Sequence, residues 1–293
     1  MRLILTTILI LLLAAAAAWA LGEPDIIPVD WPDESTYEFA IFDKDGNRLA
    51  TAYYRILAEQ TNGTPIYHLK YVGRNEQISE AAECWFYRDT LLPVRSTRKV
   101  VAQGRAFYQD NAYTDGVVVV RRKHEGEEVY EQQLPAPGPV YDYEELLWLI
   151  PQIDFGGENQ VYFNLFVTIN GNLSTVVVSD LGTQPLTILG KAYEAHGFSF
   201  EVNTTPHMLW TVMQDGRPIP ARFDTGNNSF VNLELDPDKA GATTAPQPAP
   251  EPTPTPEPEP EPEEDEEPEP EPEPEPSDPG VNPLGPPPPG SRF

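Results

Sequence analysis

The chain has 293 residues, a formal net charge of −27, 34 prolines and a single cysteine. The excess of acid excludes a nucleic-acid binder that works by neutralising phosphates, which needs a basic surplus. The charge is unevenly placed: residues 236–293 hold 16 of the 46 acids, 2 of the 19 bases and 21 of the 34 prolines, leaving −13 over residues 1–235, a stretch long enough for one domain with a real core.

Met1-Arg2 is followed by an apolar run from Leu3 to Leu21, broken only by Thr6 and Thr7. With small residues at Ala18 and Ala20, this reads as a signal peptide over residues 1–20, cleaved after Ala20, with Gly22 as a second candidate. The alternative is an uncleaved anchor, because about 19 apolar residues just span a hydrocarbon core of ~30 Å. On either reading the bulk of the chain is exported, to the periplasm or the extracellular space. If the segment is cleaved, no stable membrane span is left. Residues 21–34 form a lead into the folded domain.

Residues 35–235 read as one antiparallel β domain. The apolar period is two: Val161, Phe163, Leu165, Val167 and Ile169 share a face, Phe198, Phe200 and Val202 another, and Ile219, Ala221 and Phe223 a third. Turn signals punctuate these runs at Asp45-Gly46, Asn62-Gly63, Asp115-Gly116, Glu125-Gly126, Asn170-Gly171 and Asp215-Gly216. They predict about twelve strands in a meander that curls into a closed or half-open barrel to cover its edges.

One segment departs from the period. Asp142, with Glu145 three residues on and the apolar run Leu146-Leu147-Trp148-Leu149-Ile150 closed by Pro151, predicts a short capping-box helix. Leu146, Leu147 and Trp148 would plug one mouth of the sheet. The tryptophans Trp85, Trp148 and Trp210 either fill this interior or line a ligand cavity. Cys84 makes no internal disulfide as a lone cysteine; beside Trp85, Phe86 and Tyr87 it reads as a free buried thiol, with an intermolecular link as the alternative.

From Ala245 onward proline alternates with Ala, Thr and Glu, around an acidic knot at Glu263-Glu264-Asp265-Glu266-Glu267. With nothing apolar to bury and like charges in series, residues 236–293 predict a disordered tail extended as polyproline II. Some 40 such residues, at ~3.1 Å each, reach on the order of 120 Å. The tail is either a tether or spacer, or a solvating appendage.

Catalytic and metal chemistry leave no signature. His68, His124, His196 and His207 share no ligand spacing and read as surface or rim histidines. No nucleophile elbow or phosphate loop occurs, and no histidine is identifiable as a partner of Cys84. Asp43-Lys44-Asp45-Gly46-Asn47 lacks the glycine and glutamate positions of a calcium loop, having Arg48 and Tyr54 there, and reads as a hairpin turn. The sequence therefore nominates no catalytic residue, metal ligand or cofactor, and leaves the ligand-binding residues open. One local asymmetry remains: from Arg88 to Lys123 eight bases face three acids, a net +5, as either a wall that attracts an anionic ligand or the acidic tail, or a solvated strand face.

Three landmarks are Cys84-Trp85-Phe86-Tyr87-Arg88 with Leu92-Pro93-Val94-Arg95-Ser96, the helix Tyr141 to Leu149, and Leu209-Trp210-Thr211-Val212 leading to Arg217-Pro218-Ile219-Pro220-Ala221-Arg222-Phe223. In their order and spacing over residues 35–235 the chain resembles the exported bacterial domain-of-unknown-function family 3108. Pro151 stands where that family would have an arginine. The resemblance implies a curved antiparallel, lipocalin-like β protein without established catalytic residues.

Together these readings point to an uncharacterised, non-catalytic cell-envelope module. Its barrel would bind a lipid or other amphipathic ligand, or an envelope protein or wall polymer. The alternatives are a tether acting through the Glu-Pro tail and, third, a hydrolase.

Overall fold

The computed structural model describes residues 24–75, 78–136 and 138–235. The signal segment, with its cleavage sites after Ala20 and Gly22, and the acidic tail lie outside the described residues. The chain divides into two units, Met1–Ala249 and Pro250–Phe293, and the described residues belong to the first.

That unit is built on one sheet of fifteen strands. In chain order they are β1 (Glu34–Asp43), β2 (Arg48–Thr61), β3 (Thr64–Arg74), β4 (Ile78–Tyr87), β5 (Pro93–Ala102), β6 (Arg105–Thr114), β7 (Val117–His124), β8 (Tyr130–Pro135) and β9 (Val140–Asp142). After a helical segment come β10 (Gln160–Val167), β11 (Asn172–Ile188), β12 (Lys191–Val202), β13 (Thr205–Gln214), β14 (Arg217–Thr225) and β15 (Asn228–Asn232). Spatially the order runs β8 to β1, then β15 to β9. Two consecutive meanders are thus joined where the first strand pairs with the last, Phe39 opposite Asn232 and Asp43 opposite Asn228. Every pairing is antiparallel except β9 with β10.

The backbone ladder does not close. Instead, Val118 and Val120 of β7 pack with Val140 of β9 and Phe166 of β10, so opposite ends of the sheet meet through apolar side chains. The Arg122 guanidinium adds a bond to the Asn170 carbonyl at 3.1 Å. The result is a half-barrel, the half-open one of the two forms expected from the sequence.

Fifteen strands exceed the expected twelve because several turns lack an Asn-Gly or Asp-Gly signature. Gln103-Gly104, Leu189-Gly190 and Asn203-Thr204 form tight hairpins, each with positive φ at both residues. The expected glycine turns are present: Asn62-Gly63 has φ of 51° and 81°. At Asp43 the carboxylate accepts from the backbone N–H of Asp45 and Asn47 at 2.9 and 2.8 Å, which makes the calcium-like segment an Asp-stabilised hairpin turn.

Burial follows the predicted faces with one correction. Phe163, Leu165 and Val167 are buried, but Ile169 lies beyond the end of β10 and is 54% exposed. Phe166, on the opposite face, is buried in the valine seam between the sheet ends.

The interior is filled rather than hollow. The helical segment is a 3-10 turn (Tyr143–Glu145), the α-helix α1 (Leu146–Leu149) and a second 3-10 turn (Ile150–Gln152). Its Leu146, Leu147, Trp148, Leu149 and Ile150 are all buried in the main core with Phe39, Tyr54, Phe163 and Phe198. At ~1.5–3 kcal/mol per large apolar side chain, these five contribute on the order of 10 kcal/mol of gross burial energy. Trp148 sits edge-on to Trp31 at 5.4 Å and against Tyr37 at 4.9 Å. Trp148 and Trp210 are core residues. Trp85 is on the outer face, stacked on His68 at 4.2 Å with the Arg95 guanidinium 5.5 Å over its ring.

A mouth cleft above a buried carboxyl network

The capping box that starts the plug brings carboxyl groups into the core. Asp142 accepts the Glu144 N–H at 2.8 Å, and Glu145 reaches back to accept the Asp142 N–H at 2.7 Å. Both side chains are fully enclosed, because the segment enters across the inner face of β4–β6. Register places Cys84, Ser96 and Asn111 side by side on that face. The Asn111 amide donates to Ser96 at 2.9 Å, and Gln109 donates to Asn111 at 3.1 Å. The Tyr113 hydroxyl donates to Asp142 and lies 3.4 Å from the Ser96 hydroxyl. The Cys84 thiol points at Glu145 from 3.8 Å.

Beside this group, Arg98 is clamped between Glu80 and Glu144, and Thr168 donates to Glu144 at 2.6 Å. One guanidinium therefore pairs with two carboxylates, Glu80 and Glu144, while Asp142 and Glu145 beside them have no cation partner among the described ion pairs. The consequence is a network that holds protons. Burial, and next the charge of Glu144, pushes the Asp142 carboxyl up to about 7. Burial and Asp142 push Glu145 well above the usual carboxylate range. Burial, followed by Glu145, raises the Cys84 thiol well above its ordinary value, so it is held as a thiol and not as a nucleophilic thiolate. Burial lowers the Arg98 guanidinium, but Glu144 and Glu80 more than offset this and raise it on balance. This network braces the plug.

The eight bases from Arg88 to Lys123 do not form a single wall. Strand alternation sends Arg98 and Arg122 inward and Arg95, Lys99, Arg121 and Lys123 outward. On the outer face Arg95 pairs with Asp110 at 2.8 Å and Arg121 with Glu131 at 2.7 Å. Lys99 lies 5.2 Å over the Tyr108 ring. The +5 of the sequence is therefore spread over two faces, and four of the eight bases, Arg88, Arg95, Arg98 and Arg121, pair with acids.

Two of the four histidines, His68 and His207, depart from the surface-or-rim reading. His68 is buried, with Nδ1 3.0 Å from Glu59 and Nε2 2.6 Å from Glu83. His207 is buried between Phe200 and Phe223, at 5.2 and 5.5 Å, and burial lowers its pKa. His124 is exposed and packs on Phe107. His196 lies at a mouth of the half-barrel. Among the described residues no group of three His, Cys, Asp or Glu side chains is arranged to hold a metal ion.

At that mouth is a cleft of about 470 Å³. Its floor is Phe198, Thr211 and Met213 of β12 and β13, and its walls are the loop from Pro151 to Glu158 and the lead residues Ile27 and Val29. Gln152 holds the walls together: its backbone carbonyl accepts from Ile27 at 2.7 Å, its side-chain oxygen from Val29 at 2.7 Å, and its amide donates to the Trp148 carbonyl at 2.7 Å. Phe155 stacks on Phe198 at 6.0 Å. The ionisable groups are Asp154, Glu158, Asp180 and His196, and among the described residues no lysine or arginine lines the cleft. His196 Nε2 lies 2.7 Å from Asp180, and its Nδ1 is 3.3 Å from the Thr183 hydroxyl. This pair forms because a bulge between Asp180 and Gly182 shifts the β11–β12 register. Asp180-Leu181-Gly182 is its only sequence signal, and periodicity alone passes over it. The cleft's size and mixed lining suit a small amphipathic molecule.

No protein-family model and no curated protein matches the chain, so family 3108 is a resemblance of three landmarks without a model match. Among solved structures the chain is similar to a β-barrel-like protein of domain of unknown function DUF1849 from Brucella abortus. The identity is 13% and the TM-score 0.45, over 71% of this chain and 96% of that one.

Proposed function

We propose that the protein is an exported, non-catalytic β module of the cell envelope that binds an apolar or amphipathic ligand at the mouth cleft. The observation that carries this reading is the combination of a filled interior with an open, mostly apolar cleft of about 470 Å³ at its rim. The ligand site is therefore moved from the barrel lumen, where a lipocalin-like outline would put it, to the mouth. Export is supported by the N-terminal run ending at Ala18-Trp19-Ala20. The three landmarks shared with family 3108 support the same class of protein.

The test is titration with N-phenyl-1-naphthylamine, a neutral apolar fluorophore. Saturable binding near one site per chain is expected, weakened at least tenfold by Phe155→Ser with the circular dichroism spectrum unchanged. Absence of saturable binding, or binding indifferent to Phe155→Ser, overturns the proposal.

A further inference from the structure

Resting on the reading of the cleft as a ligand site, we infer that its preferred ligands are cationic amphiphiles: an apolar chain or ring system carrying an amine or quaternary ammonium group. Two features of the same cavity lead there. The floor and walls supplied by Ile27, Val29, Ile153, Phe155, Phe198 and Met213 would bury an apolar body. Apart from His196, the ionisable groups around that body are acids. Asp154, Glu158 and Asp180 border the cleft, and among the described residues no lysine or arginine lines it.

These acids are not consumed by cations of the protein. Among the described residues, neither Asp154 nor Glu158 makes an ion pair, and Asp180 pairs only with His196. Asp154 Oδ1 accepts the Gly156 N–H at 2.8 Å, and Asp180 Oδ1 accepts the Gly182 N–H at 2.7 Å together with His196. In both carboxylates the bonded atom is Oδ1, and it also fixes the side chain's direction. At a half-exposed rim two or three carboxylates within reach of one cation contribute a modest attraction to it and a comparable repulsion to an anion. An anionic amphiphile of the same chain length gains the same apolar burial and meets the opposite sign.

The experiment is displacement of N-phenyl-1-naphthylamine from the full-length protein at pH 7 and 0.15 M salt. Three dodecyl competitors are used below their micelle concentrations: the trimethylammonium, the maltoside and the sulfate. The expected order is trimethylammonium before maltoside before sulfate, with at least a tenfold gap between the first and last. In the double variant Asp154→Asn, Glu158→Gln the gap shrinks to about twofold while the maltoside is unchanged. Equal displacement by all three overturns the cation preference and leaves the cleft in place. A gap that survives in the double variant also overturns it, because the preference would then come from the general −27 charge of the chain. If no competitor displaces the probe, the reading of the cleft as a ligand site fails with it.

Discussion

Asp142 shows how one side chain can serve two incompatible needs. As the cap of the plug it must accept hydrogen bonds, which favours the carboxylate, while complete burial beside Glu144 and Glu145 favours the neutral acid. Burial wins, and the carboxyl titrates near 7, above its value in an unfolded chain. Between about pH 4 and 7 the folded state therefore holds more protons than the unfolded state, and stability falls as pH rises through this window. The urea midpoint should drop between pH 5 and 8, and Asp142→Asn should flatten that drop relative to the parent; an identical slope in the variant would exclude Asp142 as its source. A second residue is governed by space alone. A Cβ at Gly197 would lie 2.4 Å from the Trp210 ring, so Gly197→Ala should cost roughly 1–3 kcal/mol and shift the tryptophan emission. Position 197 carries no turn signal in the sequence, and its need for glycine exists only because Trp210 is directly opposite on β13.

Among the elements, the plug was the most legible. The Asp142 and Glu145 spacing, the apolar run and the proline stop identify a helix start, a buried face and an end. Its contents were not fully legible: only four residues are α-helical, flanked by 3-10 turns, and Pro151 sits within the second turn instead of beyond it. The partners of Glu145 were hidden, because Cys84 lies 61 positions earlier and meets it only through the curl of the sheet. Two substitutions separate the cap from the charge. Glu145→Gln keeps an acceptor for the Asp142 N–H and removes a buried acid, so it should be neutral or stabilising above pH 7. Glu145→Ala leaves that N–H unpaired in the core and should cost about 1–3 kcal/mol at any pH, as read by thermal melting. The cleft, by contrast, was illegible at this scale. It is assembled from a lead, a loop and four strands, and its His196 and Asp180 come together through a bulge.

For the whole folded unit, alternation and turns foretold a sheet curled into a closed or half-open barrel, of which the half-open form is found, and the count of strands fell short where turns lack an Asn-Gly or Asp-Gly signature. The order of strands was not available from pattern, since the pairing of β1 with β15 joins chain segments nearly 200 residues apart. Stability should therefore be graded across the sheet. The central strands β1, β2, β3 and β14 are paired on both sides, while β8 is a terminal strand with an exposed Tyr130. Hydrogen exchange should find the β8 amides at least a hundredfold faster than those of β2; comparable protection would mean that the β8 edge is covered in solution.

The parallel pairing of β9 with β10 has a further consequence. An antiparallel neighbour can be reached by a tight turn, but a parallel one demands a return path along the sheet, and here that path is the plug itself. The stopper of the half-barrel is therefore not a lid on a hinge but a taut strap sewn into the last seam. Withdrawing it would mean unstitching β9, whose Asp142 is also the strap's anchor. A ligand bound as proposed at this mouth would sit beside the strap, over Ile153 and Phe155, and would leave the core behind it intact.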